Sequence, residues 1–453
     1  MSAPSSTAAE ASAFRSWIDY PAGETLASRR LVVRGWCYHR GGERIAAIRL
    51  RIGERVFPGL YGQPRPDVSA AFGAEAGSDV SGYEIPTTVG KSVATGFIEA
   101  RMDRGGWQPV QPVQFRIAGG SAWAEWLTWS KFWLAAYAGR PNALAALTPA
   151  QREFALVTIR QRGWFNLQLA PQYPPRPVAP ESFRPSSATA NALPSLAVVT
   201  PSFNQAPFLE ATLRSVLEQR DVNLSYIVQD GGSADGSVDI IRRHASRLTH
   251  WESVPDHGQA DAIVRGFRHA TLRPDDLMMY LNSDDLLAPG AARFVAEFFR
   301  RHPEVDVVYG HRILIDEAGQ EIGRWYSPRQ RCDDLQLHDL VPQETFFWRK
   351  RVWDRVGGID PDFHFAMDWD LLLRFAAAGA KFVRVPHFLG LFRLHGQQKS
   401  QAQLHQRGIP EMDRLRLRSF GQAPAADILH ASMQRAQLDS AMLLRLWQWG
   451  IKV

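Results

Sequence analysis

From Ser195 onward, short apolar runs alternate with helical ones, and this alternation restricts the fold more than any other feature of the chain. SLAVVTPSF, LSYIVQD, DLMMYLNSDD and VDVVYG read as strands. FLEATLRSVLEQ, SVDIIRRHA, QADAIVRGFRHA and PGAARFVAEFFRRH read as the helices around them. Such a pattern implies an α/β, Rossmann-like domain, with a mainly parallel sheet and helices on both faces. Ligands of an open α/β sheet sit outside the carboxyl ends of its strands. Three strands here end in polar, turn-forming residues: Thr200-Pro201-Ser202-Phe203-Asn204, Asp230-Gly231-Gly232-Ser233 and Asn282-Ser283-Asp284-Asp285. Chain topology therefore gathers Asp230, Asp284 and Asp285 on one edge.

Each piece has an ordinary explanation. DGGS makes a turn, because glycine accepts positive φ and Asp closes an Asx-turn. NSDD can end a strand and cap a helix. MDWD, Met367 to Asp370, opens the helix WDLLLRFAAAG, where carboxylates suit the dipole whatever their function. Together they suggest chemistry. Adjacent carboxylates at a strand end can hold Mg²⁺ or Mn²⁺ beside substrate phosphates. A cation there offsets charge on a departing diphosphate. A separate carboxylate must take the proton of an attacking hydroxyl, and Asp368 fits that role.

The order VTPSFNQAPFLEATLRSVLEQ, IVQDGGSADGSVDIIRRH, VPDHGQADAIVRGFRHATLRPDDLMMYLNSDDLLAPGA, PQETFFWRKRVWDRVGGIDPDFHFAMDWDLLLRFAAAG and FRLHGQQKS closely resembles the family 2 glycosyltransferases of GT-A fold. The resemblance covers about Ser195 to Ser400. It implies an inverting transferase that moves a sugar from a nucleotide-sugar donor, a UDP- or GDP-sugar, onto a hydroxyl of a glycan or lipid-linked acceptor. It puts Pro201 and Phe203 at the nucleoside pocket, with Asn204 beside them, and Asp230 against the base or ribose. Asp284 and Asp285 fall in the DxD-like motif, the latter as the direct metal ligand. Asp368 falls on the catalytic aspartate, and His395 on a histidine near metal and diphosphate. Asp256 and Gln259 look like donor-site residues. Two departures stand out: Asn282 replaces a usual Asp, and Met367 stands where a Glu often precedes the base.

The other segments carry no such signature. Residues 1–13 read as disordered. Residues 14–120 read as a β-sandwich, since LVVRGWCYH, IAAIRLRIGERVF, SGYEIP, GFIEARM and VQFRI alternate without helices between them. Exposed aromatics there could stack on sugar rings, but a packing or docking module is the simpler reading. Residues 121–170 read as a helical connector with Trp123, Trp126, Trp129, Trp133 and Tyr137 on one face, most simply an aromatic packing seam. Residues 171–194 read as a Pro-rich linker, 195–400 as the transferase domain and 401–453 as a helical extension.

The two cysteines, Cys37 and Cys332, lie too far apart for a disulfide framework or thiolate metal site. A formal charge of +6 from 52 Lys+Arg and 46 Asp+Glu needs no nucleic-acid partner. The N-terminus lacks the pattern of a secretory signal, and no apolar stretch is long enough to span a bilayer. Cytoplasmic action is expected. Peripheral membrane contact through the C-terminal helix, which carries Leu446, Trp447 and Trp449 beside Arg445 and Lys452, stays open against burial on the catalytic domain. Two other functions compete: a non-catalytic glycan- or nucleotide-binding scaffold on a degenerate transferase fold, and a nucleotidyltransferase. The latter lacks support from any Gly-rich, Lys-bearing phosphate loop.

Overall fold

The computed structural model describes residues 13–23, 25–72, 77–90, 93–103, 105–118, 127–132, 147–161, 171–179, 183, 192–329, 332–396, 398 and 403–452. The chain divides into two compact units, Met1–Phe165 and Asn166–Val453.

The first unit holds two sheets. One has the order β1 (Phe14–Tyr20), β3 (Arg30–His39), β7 (Gly82–Thr88), β6 (Leu60–Gln63). The other runs β2 (Thr25–Leu26), β9 (Trp107–Ile117), β8 (Val93–Met102), β4 (Ile45–Ile52), β5 (Arg55–Pro58). Period-two alternation places Leu31, Val33 and Cys37 of β3 in one core with Ile48, Leu50, Ile98 and Phe115 of the second sheet. A short helix, α1 (Pro66–Phe72), interrupts the strands, contrary to the expectation of no helix between them. Asp67 in its first turn pairs with Arg65 just before it. Such local side-chain interactions leave no apolar period to read.

A further helix, α2 (Pro149–Gln161), packs on β3 and β7. Trp129, buried between Phe132 and Phe154, has the Arg30 guanidinium over its ring. Trp123, Trp126, Trp133 and Tyr137 of the expected seam lie outside the described residues, as do residues 1–12 of the segment expected to be disordered.

The second unit is built on a nine-stranded sheet. β10 (Leu196–Ser202), β11 (Leu224–Asp230), β12 (His250–Ser253) and β13 (Leu277–Tyr280) are parallel to one another, in the order β12-β11-β10-β13. Every residue of β10 is buried, as a central strand covered on both faces requires. Beyond β13 the sheet turns mixed. β17 (Phe347–Arg349) inserts antiparallel between β13 and β15 (Val307–Ile315), and β18 (Phe382–Arg393) runs parallel to β15. β14 (Leu286–Leu287) and β16 (Glu321–Trp325) add on antiparallel. The mainly parallel sheet expected from the alternation therefore holds for β10–β13 and for the β15–β18 pair, with β14, β16 and β17 antiparallel.

Helices α3 (Ala206–Leu217), α4 (Ser237–His244) and α5 (Gln259–Arg268) follow β10, β11 and β12 in turn. Ala260, Ile263 and Phe267 form the buried stripe of α5. Gly266 lets that helix close on β10: a Cβ there would lie 2.6 Å from Val199 Cγ1. Helices α6 (Ala291–Arg301), α7 (Cys332–Leu337), α8 (Lys350–Val356) and α9 (Met367–Ala377) complete the body.

Two C-terminal helices, α10 (Ile409–Phe420) and α11 (Ala426–Gln448), dock on it. Ser440 and Ser432 of α11 bond Tyr326 O and Asp334 Oδ1, and the Trp447 ring packs against His311, Tyr326 and Phe388. Trp449 beyond α11 is exposed. No helix among the described residues is long and apolar enough to cross a membrane. Part of the Pro-rich stretch is also anchored: Arg176 bridges Glu321 of β16, and Gln172 N donates to Ile322 O.

Candidate active site

The carboxyl ends of β10 and β11 are stapled together. Pro201 is buried within β10, whereas Phe203 just beyond it is 61% exposed. Asn204 takes a left-handed conformation, φ 52°, and its Oδ1 accepts from Ala234 N at 3.1 Å. In return Asn204 N donates to Ser233 Oγ at 2.7 Å, Gln205 N to Ser237 Oγ at 3.1 Å, and Ala206 N to Asp235 Oδ2 at 2.9 Å. Ser233, Asp235 and Ser237 therefore belong to this rim; their SADGS spacing was the available signal.

The Asp230 carboxylate is fully buried and already committed. Oδ2 accepts from Gly232 N, Ser233 N and Ser253 Oγ at 3.1, 2.8 and 2.7 Å, and Oδ1 from Ser233 Oγ at 2.6 Å. It shapes the turn, with Gly232 at φ +85° as that turn requires. Asp256 accepts from Gly258 N at 2.8 Å and packs over Gly231, where a Cβ would lie 2.9 Å from Asp256 Oδ2.

A cleft of about 290 Å³ opens beyond β13, and Gln259, Asn282, Asp284, Asp285 and Asp368 all line it. Asp230, Pro201, Phe203, Asn204, Asp256 and His395 are not among its lining residues. Gln259 at the start of α5 donates from Nε2 to Asn282 Oδ1 at 2.7 Å, so Asn282 fills its place as an acceptor without adding charge. The two neighbouring aspartates face different surroundings. Asp284 Oδ2 lies 3.0 Å from His395 Nε2, whose ring leans on Phe208. Asp285 is buried, and its Oδ1 accepts from Arg393 N at 3.0 Å. Burial first, then the Asp284 and Glu344 carboxylates, push Asp285 well above the usual carboxylate range.

Asp368 stands in the first turn of α9. The C-terminal helices fix that turn. Glu411 of α10 accepts from the backbone N–H groups of His364, Phe365 and Ala366 at 3.1, 2.8 and 2.9 Å. Burial alone would raise its pKa; these three donors outweigh burial and hold it below the usual glutamate range. Two residues past Asp368, buried Asp370 takes Arg374 on one oxygen and Arg418 of α10 on the other. Trp369 Nε1 donates to Leu335 O at 2.7 Å.

Four further lining residues carry polar chemistry that the sequence pattern did not single out. Arg312 pairs bidentately with Glu344 at 2.8 and 2.5 Å, and both are buried. Gln343 donates to Tyr280 O, and Gln398 to Arg393 O. Because those partners are carbonyls, each amide must turn its NH₂ toward them. Among the described residues, Gln343 Oε1 and Gln398 Oε1 are closed from solvent without a donor, as is Asp339 Oδ1. No local period or turn signature marks these positions.

Elsewhere, His250, Glu252 and His269 bring ligand atoms within 4.8 Å of one another, but Glu252 Oε1 already accepts from Gln229 and Arg265.

In sequence, the chain is similar to known glycosyltransferases. The pattern of glycosyl transferase family 2 matches residues 197–356. An uncharacterized glycosyltransferase of Mycobacterium tuberculosis is 31% identical over 185 residues, spanning 40% of this chain and 69% of that protein. A PGL/p-HBAD biosynthesis glycosyltransferase of Mycobacterium bovis is 29% identical over 43% of this chain and 75% of its own. Among solved structures, a mannosyltransferase from Pyrobaculum calidifontis in complex with GDP-Man and Mn²⁺ aligns with a TM-score of 0.40 at 19% identity, covering 73% of this chain and 88% of that one. On the strength of its sequence relatives, the chain belongs to the family 2 glycosyltransferases.

Proposed function

We propose that this transferase moves a sugar from a UDP- or GDP-sugar onto a hydroxyl of a glycan or lipid-linked acceptor, with inversion at the anomeric carbon. The observation that carries the reading is that Asp284, Asp285 and Asp368, from distant parts of the chain, line one cleft. The acceptor O–H attacks the anomeric carbon, the bond from that carbon to the diphosphate oxygen breaks, and the proton passes to the Asp368 carboxylate. Asp284 and His395, 3.0 Å apart, supply an oxygen and a nitrogen donor suited to Mg²⁺ or Mn²⁺. Such a cation, when bound, offsets the charge that develops on the departing nucleoside diphosphate.

In this reading Asp285 holds the backbone of Arg393 and so the approach to His395, while Asp284 takes the metal-ligand role first expected of Asp285. Exposed Phe203 serves the nucleoside, with Pro201, Asn204 and Asp256 shaping its rim. Asp230 acts through the turn it closes, and Gln259 through Asn282. The buried acceptor oxygens of Gln343 and Gln398 suit a ligand rich in hydroxyl donors. The first unit serves as a packing or docking module, and the enzyme works in the cytoplasm, including on membrane-bound acceptors.

The test is a panel of UDP- and GDP-sugars with Mn²⁺ or Mg²⁺, read as release of the nucleoside diphosphate. Asp368→Asn should lower turnover at least a hundredfold and leave donor binding by calorimetry within about twofold. Full turnover by that variant removes Asp368 from the mechanism.

A further inference from the structure

Asp339 lies between α7 and the Gln343–Thr345 turn and lines the same cleft as Asp368. Its Oδ1 is shut off from solvent and has no hydrogen-bond partner among the described residues. The backbone N–H of Val341 bonds the carboxyl, which leaves that donor to Oδ2. Asp368 is the charge that acts on it most strongly. Arg312 of β15 is held by both oxygens of Glu344 and stacks on Phe392; its charge pulls Asp339 down, but by less than Asp368 raises it. Tyr280 of β13 also faces this cluster; burial first, then Asp368 and Asp339, keep its hydroxyl protonated.

A closed carboxylate oxygen without a donor is costly, and two carboxylates sharing a cleft cannot both stay charged cheaply. We propose that Asp339 is a positioning residue for Asp368, carrying the proton of the pair so that the cleft presents one negative charge, on the residue that takes the acceptor proton. Burial and the neighbouring Asp368 both raise Asp339 well above the usual carboxylate range, in the same direction. The inference rests on the role proposed for Asp368 and adds a second carboxyl to it. As pH rises through the point where Asp339 ionises, mutual repulsion turns Asp368 from its working position and activity falls.

The deciding measurement needs no substrate. Infrared difference spectra at neutral pH, wild type minus Asp339→Asn, should contain a protonated carboxyl carbonyl band. Absence of the band overturns the proposal. The second measurement is the pH dependence of UDP release from UDP-glucose, or GDP release from GDP-mannose, with Mn²⁺. Asp339→Asn is neutral at every pH, so it should keep turnover within about fivefold of wild type near neutrality and lose the descending alkaline limb. Superimposable profiles also overturn the proposal. If Asp368→Asn is inactive and the Asp339 outcomes fail, only this inference falls; if Asp368→Asn is active, the underlying reading falls first.

Discussion

Replacing Glu411 by Ala should damage catalysis from outside the cleft. The carboxylate accepts three backbone N–H groups at the entry to α9, at 2.8 to 3.1 Å. Bonds to a charged acceptor are worth about 1.5–3 kcal/mol each when fully buried. Glu411 is only partly buried, and water can reach some of the released donors. Loss of a cap costs typically ~1 kcal/mol, so three donors together lose about 2–3 kcal/mol. In a unit of this size that lowers Tm by roughly 3–5 °C. Displacement of Asp368 by even an ångström costs on the order of a hundredfold in rate, so kcat should fall about ten- to a hundredfold. Nucleotide affinity should stay within about twofold, because Glu411 touches nothing on the diphosphate side. Glu411→Gln, which keeps one acceptor oxygen, should fall between. Differential scanning calorimetry and donor turnover measure both effects. If Glu411→Ala matches wild type in Tm and kcat, the α10 brace on the catalytic helix is refuted.

Asp284→Ala should weaken Mn²⁺-dependent nucleotide binding at least tenfold, about 1.4 kcal/mol, by calorimetry; turnover that survives excess chelator would defeat the cation role altogether. Asp285→Ala should instead lower Tm, since its carboxyl holds Arg393 N. Burial opposes ionisation of Glu321, but bonds from Arg324, Tyr173 and Arg176 hold its pKa at about 2. A depressed carboxylate stabilises the fold above its unfolded pKa and loses that contribution as pH falls. Glu321→Gln should therefore cost at most about 3 kcal/mol near neutrality, with the difference from wild type vanishing between about pH 4.5 and 2 in acid unfolding curves; an unchanged difference across that range counts against the network.

Strands β10, β11 and β13 were legible because each is a short apolar run ended by turn residues, and such ends fix where chemistry sits, whereas β12, HWES, has no apolar pattern. Asp230, Asp284 and Asp285 could be assigned to one edge for that reason, whereas Asp368, at a helix start, came in through its acid-base role and the resemblance. The antiparallel β17 was not legible: FWR is three residues, too short for any period. Asp230 carried two readings, a turn-closing Asp and a donor-facing one, and its carboxylate accepts from its own turn. Arg312 and Glu344 stand 32 positions apart, and Glu411 reaches back 45 to 47 residues. Such pairs exist only once β15, α9 and α10 have packed, and nothing in local sequence encodes them.

The cleft thus contains chemically identical side chains whose burial and partners separate them. Asp285 is closed in, and its Oδ1 accepts from a backbone N–H. Asp284 keeps an oxygen 3.0 Å from the His395 imidazole. Asp339 is paired by Val341 and overlooked by Asp368, and Asp368 alone sits at a helix start, where the dipole favours its charge. Environment, more than residue type, divides the labour among acids in one site. A swap that preserves the carboxyl but changes its surroundings, such as loss of the α10 brace, should therefore cost more than the conservative Asp339→Asn.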